Sequence, residues 1–218
     1  RSTYNQWVNR EPRFYVGITY NNSLWLNRTS VGNIITETWY NGNSGRAAGG
    51  NDYPPTGYIV RKNMITGPRG NQDRTIPMLR LAEIYLDYVE ALNEVDPGNP
   101  DILIYLNEIR DRAGIPGYGE DGLEVPSSQA EMREAIHKER RVELAFENVR
   151  YFDVRRWKEG VDYFDGPKHG MDINAPQEVD FYNVVEFENR VFDLRHHLFP
   201  IPQDEINANP ALIQNTGW

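Results

Sequence analysis

Six aromatic residues near the start of the chain, Trp7, Trp25, Trp39, Tyr40, Tyr53 and Tyr58, stand among asparagine, glycine and arginine. That mixture suits a saccharide. A sugar ring has an apolar C–H face, which an aromatic ring can cover, and a hydroxyl rim, which amides, guanidinium groups and backbone atoms can bond. Trp25, Trp39 and Tyr40 lead the expected ligand-binding set because turn-rich sequence flanks them, and Trp7, Tyr53, Asn43 and Arg46 complete it. For any one ring the plainer alternative is burial that pins a loop onto a helical scaffold. The set as a whole is expected to bring at least one or two rings to a ligand.

Other chemistry is poorly represented. Glu139, Arg140, Arg141 and Glu143, followed by Arg150, Asp153, Arg155 and Arg156, form a dense charged run. An anion site or a catalytic carboxylate pair is one reading. A structural network with i,i+3 pairs, Arg140–Glu143 and Glu147–Arg150, is preferred. His137, His169, His196 and His197 lack the HExxH spacing of a zinc site, and neither a nucleophile elbow nor a phosphate loop is present. With no cysteine there is no disulfide, thiol chemistry or cysteine-ligated metal. No catalytic residue, metal or cofactor is therefore expected. A glycoside hydrolase would need two carboxylates across a cleft, and the aromatic-rich segment has only Glu11, Glu37, Asp52 and Asp73. A helical adaptor for protein partners is a third class. The net charge of −9 argues against nucleic acid, which demands clustered lysine and arginine.

The elements that must position these residues divide the chain unevenly. Residues 1–75 carry a net charge of +5 and the remainder −14, which suggests two kinds of structure. The first stretch reads as a loop-rich aromatic lobe. A strand is expected over Arg13–Tyr20, with Asn21-Asn22 as its turn, and turn-formers dominate from Asn41 to Gly57. Residues 76–160 read as helical. One helix runs from near Pro77 to about Val95, its apolar face made by Leu81, Ile84, Tyr85, Tyr88, Val89 and Leu92. A second runs from Pro100 to Gly114 and pairs with it as an antiparallel hairpin. Ser128 and Glu131 have capping-box spacing and open a long third helix, through Leu144 and Phe146, that Asn148 interrupts before Tyr151–Trp157. Residues 161–218 are expected to be an irregular tail that wraps the helices. All three stretches belong to one mainly α domain.

Four segments carry a family resemblance. They are Arg10-Glu11-Pro12-Arg13-Phe14-Tyr15 with Tyr20-Asn21 and Trp25; Met78–Leu86 with Glu90–Glu94 and Ile109–Gly114; Glu139–Glu147 with Arg150-Tyr151-Phe152-Asp153 and Arg155-Arg156-Trp157; and Leu198-Phe199-Pro200-Ile201-Pro202 with Asn209-Pro210 and Gly217-Trp218. In this order and spacing they resemble the SusD/RagB family over nearly the whole chain. The resemblance implies tetratricopeptide-like helix pairs with irregular loops on one side. It implies a nutrient-binding protein of a Bacteroidetes outer membrane, lipid-anchored at the cell surface through an N-terminal cysteine. That protein would pass oligosaccharide, or peptide in RagB-like members, to a SusC-type TonB-dependent transporter. The sequence departs from the family in lacking a counterpart of its N-terminal half and of the anchor cysteine. A lone helix pair also cannot bury both its faces. The expectation is that residues 1–218 are the C-terminal part of a longer polypeptide, whose N-terminal half is a further partner.

Overall fold

The computed structural model describes residues 4–28, 32–64 and 77–218, without the side chains of 26–28. The end of the expected lobe, 65–75, lies outside the described residues.

Helices start where the sequence caps them. Helices α1 (Pro12–Gly17) and α2 (Arg46–Gly49) are short, and α3 (Leu81–Val95), α4 (Pro100–Arg112) and α5 (Gln129–Glu143) form the scaffold. The Asn99 side chain accepts the Asp101 N–H at 3.1 Å, with Pro100 as the first helical residue of α4. Ser128 Oγ accepts the Glu131 N–H at 3.2 Å, while Glu131 reaches back one residue further than a capping box would, to the N–H (2.8 Å) and hydroxyl (2.7 Å) of Ser127. Helix α3 begins later than Pro77 because Arg80 is extended, its guanidinium drawn to Glu143 and Glu147.

Helices α3 and α4 run antiparallel: Tyr88 Oη donates to Asp101 at 2.9 Å, and the Tyr85 and Tyr105 rings lie 4.7 Å apart. Helix α5 is antiparallel to α3, with Arg133 on Glu94 at one end and Arg80 on Glu143 at the other. Leu86, Val89, Ile102, Leu106, Ile109, Met132, Ile136 and Leu144 make the scaffold core. The expected face of α3 is only half right. Tyr85, Val89 and Leu92 turn inward, but Leu81, Ile84 and Tyr88 are exposed, in line with Val95. Helix α3 is apolar over more than one stripe, so periodicity alone could not choose between them.

Helix α5 ends at Glu143, before the expected break at Asn148. Phe146 and Asn148 both take a left-handed backbone (φ 66° each), which ends the helical path. Helices α6 (Arg150–Arg156) and α7 (Gly160–Phe164) follow.

The lobe corrects a second expectation. Pro12 initiates α1 where a strand was expected, and only Ile18–Thr19 is extended, as β1. Strand β1 pairs antiparallel with β4 (Ile59–Val60), Ile18 opposite Val60 and Thr19 opposite Ile59. Strands β2 (Leu24–Arg28) and β3 (Gly32–Ile35) form a second antiparallel pair.

The tail is more regular than expected. Strand β5 (Gly166–Met171) pairs antiparallel with β6 (Val184–Arg190), with α8 (Glu178–Phe181) between them and α9 (Gln203–Ala208) beyond. The Gly-Pro-Lys-His-Gly-Met run of β5 has no apolar alternation to announce it. Its second glycine has a packing reason: a Cβ on Gly170 would stand 2.8 Å from Thr56 Cα, and the next residue, Met171, donates its N–H to Thr56 O at 3.1 Å. Tail and lobe therefore share a second core of Trp7, Met171, Ile173 and Phe181, ringed by Tyr4, Phe14, Tyr20, Trp39, Tyr53, Tyr58 and Tyr182.

The charged run is structural, though not through the pairs expected. Neither Arg140–Glu143 nor Glu147–Arg150 occurs among the ion pairs of the described residues. Glu139 takes Arg13 (2.5 Å) and Arg110 (2.8 Å); Glu143 takes Arg13 (3.0 Å), Arg80 (2.5 Å) and Arg112 (2.6 Å); Glu147 takes Lys62 (2.5 Å) and Arg80 (2.7 Å). Arg140 joins Asp87 (2.5 Å) and Asp153 (2.7 Å). Burial works against ionisation of Glu143, but hydrogen bonds from Arg80 and Arg13 outweigh it and hold the carboxyl below its ordinary range. Among the described residues no helix is long and apolar enough to cross a membrane.

Candidate functional site

The turn-forming run after β3 folds into a loop that borders an open cleft of about 670 Å³. Asn43, Ser44, Asp52 and Tyr58 give it polar edges, and Ala48, Gly49, Pro54, Ile59 and Val60 give it apolar ones. The loop is fastened from inside. Asn43 Nδ2 donates to Ile35 O at 2.7 Å, and Asn43 Oδ1 accepts the Glu37 N–H at 2.9 Å and the Ser44 hydroxyl at 3.1 Å. Ser44 N–H donates to Glu37 O and Ala47 N–H to Tyr40 O, each at 2.9 Å. Gly45 sits where no side chain fits, since its Cβ would lie 1.8 Å from Trp39 O.

A second set of bonds ties the loop to the tail. Arg46 donates to Asn174 Oδ1 and its guanidinium lies over the Tyr53 ring, 5.2 Å from the centroid. Asn41 Nδ2 donates to Pro176 O at 3.1 Å. Also in the lining, Tyr58 Oη accepts from Trp7 Nε1 at 3.1 Å and donates to Gln6 Oε1 at 3.2 Å.

The residues expected from the sequence are distributed as follows. Asn43, Arg46 and Tyr53 come together at the loop, with Trp39 and Tyr40 half-buried at its base. Asn43 lines the cleft, although its amide is engaged with the backbone. Trp25 lies on β2 outside the cleft lining; the Arg61 guanidinium covers its ring at 5.6 Å and donates to Trp25 O at 3.2 Å. Trp7 corrects an expectation: it is 2% exposed, packed against Tyr20 (4.6 Å) and Tyr182 (5.7 Å), with no open face for a ligand. A large ring with one N–H satisfied by Tyr58 has every reason to be buried. Ser44, Asp52, Ile59 and Val60 were not singled out from the sequence. Only their place in or beside the turn-forming run pointed to them, since the β1–β4 pairing that brings up Ile59 and Val60 is non-local.

The geometry offers hydrogen-bonding groups beside small apolar surfaces. Among the described residues no group of three or more His, Asp or Glu side chains is placed to hold a metal ion. His196 Nδ1 accepts the Asp193 N–H at 2.7 Å, and His197 Nδ1 lies 3.3 Å from Arg155 O, so each imidazole has a local structural contact.

Comparison with known proteins is consistent across sequence and structure. A model of the SusD family matches residues 1–218. The chain is 33% identical over 155 residues to SusD-like protein P2 of Formosa agariphila, covering 69% of this chain and 27% of that protein. It superposes on the crystal structure of a SusD-like protein from Bacteroides fragilis with a TM-score of 0.81 at 31% identity, covering 97% of this chain and 39% of the other. On a SusD-like carbohydrate binding protein from the same species the TM-score is 0.67 at 25% identity, with 94% and 42% covered. The chain thus spans about a quarter of the curated relatives it matches, 27% and 28%.

Proposed function

This chain belongs to the SusD family, and on that premise we propose that it is part of a surface glycan-binding protein whose ligand rests in the cleft at loop 41–58. The observation that carries the reading is that cleft: Ser44 Oγ and the Asp52 carboxylate offer acceptors to sugar hydroxyls, beside Pro54, Ile59 and Val60 for C–H faces. Arg46, held by Tyr53 and Asn174, belongs to the same loop, between the lining residues Ser44 and Ala48, and is kept with Trp39, Tyr40 and Trp25 in the proposed ligand set although none of the four lines the cleft. Trp7 belongs to the core and not to the ligand set. The glycan reading is favoured over a peptide because a structural relative is described as carbohydrate binding. The protein captures and does not cleave.

The family supports the wider setting: a lipid-anchored protein of a Bacteroidetes outer membrane, which hands oligosaccharide to a SusC-type TonB-dependent transporter. The exposed α3 row of Leu81, Ile84, Tyr88 and Val95 is the face we assign to further helices of a family-length protein.

The test is an array of oligosaccharides and peptides probed with the protein, with reaction products analysed in parallel. Capture of at least one oligosaccharide without products is expected. Replacing Asp52 by Asn together with Arg46 by Ala should weaken that capture about tenfold or more, as loss of two or three polar contacts implies. Capture of peptides alone, or cleavage abolished by neutralising one carboxylate, would overturn the reading.

A further inference from the structure

The two apolar cores have no residue in common. Where the lobe meets the C-terminal turn of α5, ion pairs make the junction. The cleft wall formed by Ile59 and Val60 is strand β4, two residues long and paired, among the described residues, only with the equally short β1. Two residue pairs do not hold a strand in place by themselves.

Both strands lead directly to the charged junction. Arg13 lies in α1, which runs straight into β1, and bonds Glu139 (2.5 Å) and Glu143 (3.0 Å). Just past β4, the N–H groups of Arg61 and Lys62 donate to Gly17 O at 2.8 and 3.2 Å. The Lys62 ammonium then reaches Glu147 Oε1 at 2.5 Å and the backbone carbonyl of Glu143 at 2.7 Å. That carbonyl belongs to the last turn of α5, where the helix leaves acceptors unpaired and the dipole favours a cation.

We propose that Glu143 and Glu147 are positioning residues for the cleft, acting through Arg13 and Lys62 to fix the β1–β4 pair against the scaffold. Apolar packing tolerates sliding, whereas a lysine held between a carboxylate and a helix-end carbonyl has one direction. In some proteins buried ionic groups set a unique arrangement rather than add stability, and that is the role assigned to this junction. The cleft's importance rests on its reading as the glycan site, but the positioning itself does not.

Lys62 is the residue to vary. If it is replaced by Met, Glu147 keeps Arg80 through two hydrogen bonds of 2.7 and 2.8 Å, so no buried carboxylate is left unpaired. Amide hydrogen exchange in the intact chain is the readout, and it requires no glycan. Lys62→Met should speed exchange of the amides at 59–62 about tenfold or more, with α3, α4 and α5 unchanged. Lys62→Arg should restore protection. Unchanged exchange at 59–62, equal loosening of α3–α5, or failure of the arginine to rescue would each overturn the proposal. On the oligosaccharide array, Lys62→Met should lower the same capture that the Asp52 and Arg46 substitutions lower. If those two act and Lys62→Met does not, the positioning proposal fails while the glycan reading stands.

Discussion

Replacing Glu143 by Gln should destabilise the chain by about 3 kcal/mol, at the lower end of the range for breaking a buried ion pair. The carboxylate is 2% exposed and accepts from three guanidinium groups, those of Arg13, Arg80 and Arg112. Glutamine keeps the volume and one acceptor but turns an N–H₂ toward cations. The cost stops short of three broken pairs because Arg13 retains Glu11 and Glu139, Arg80 retains Glu147, and Arg112, 59% exposed, turns to water. Arg112→Ala is the internal control: an exposed partner contributes less than about 1 kcal/mol. Urea unfolding followed by far-ultraviolet circular dichroism measures both, with an unchanged slope required for the comparison. The pH dependence has a fixed sign. The Glu143 carboxyl is held below its ordinary range in the folded chain, so its stabilisation is complete above the unfolded value near 4.5 and is lost as pH falls through the folded one. Wild type and variant should therefore converge in acid. A Glu143→Gln variant within about 1 kcal/mol of wild type at neutral pH would refute the picture of a desolvated junction.

Three further outcomes are expected. Trp7→Ala should cost about 3–5 kcal/mol in the same unfolding assay, as for a buried tryptophan; loss of glycan capture with full stability would return Trp7 to the ligand set. Gly45→Ala should abolish capture on the oligosaccharide array while the helical signal persists, because its Cβ collides with Trp39 O; normal capture would show that the loop shape is dispensable. His137, stacked on Trp157 at 3.6 Å, faces Glu90, Glu134, Glu159, Arg133 and Arg156, and burial leads in holding its pKa below 6.5. The unfolded chain therefore takes up the proton first, so stability should fall as pH drops below about 6.5 and level off below the folded value. His137→Phe should flatten that part of the profile, and parallel curves for the two proteins would contradict the assignment.

The scaffold was legible because its signals are local. Pro100 opens α4 and Ser128 caps α5, each a signal at the very start of its helix, and the antiparallel hairpin follows from a short connection. What failed was decided at a distance. The inward stripe of α3 depends on where α4 and α5 lie, and the exposed row of Leu81, Ile84 and Tyr88 is just as apolar in sequence. The early end of α5 turns on Phe146 adopting a left-handed backbone, which no propensity favours. At the candidate site, the turn-formers from Asn41 to Gly57 marked the loop. Its wall, however, comes from a strand of two residues with no periodicity to read. Trp7 looked like an exposed platform because its neighbours are polar; the residues that bury it, Met171, Ile173 and Phe181, lie near the other end of the sequence.

That last separation bears on the order of assembly during synthesis. The scaffold core is drawn from a continuous stretch, Leu86 to Leu144, so it can condense as soon as that stretch leaves the ribosome. The lobe core cannot close until Met171 and Phe181 have emerged. Closing so long a loop costs entropy before any contact repays it. Until then Trp7 lacks the partners that bury it, so its ring is open to non-native contacts for as long as the tail is unmade.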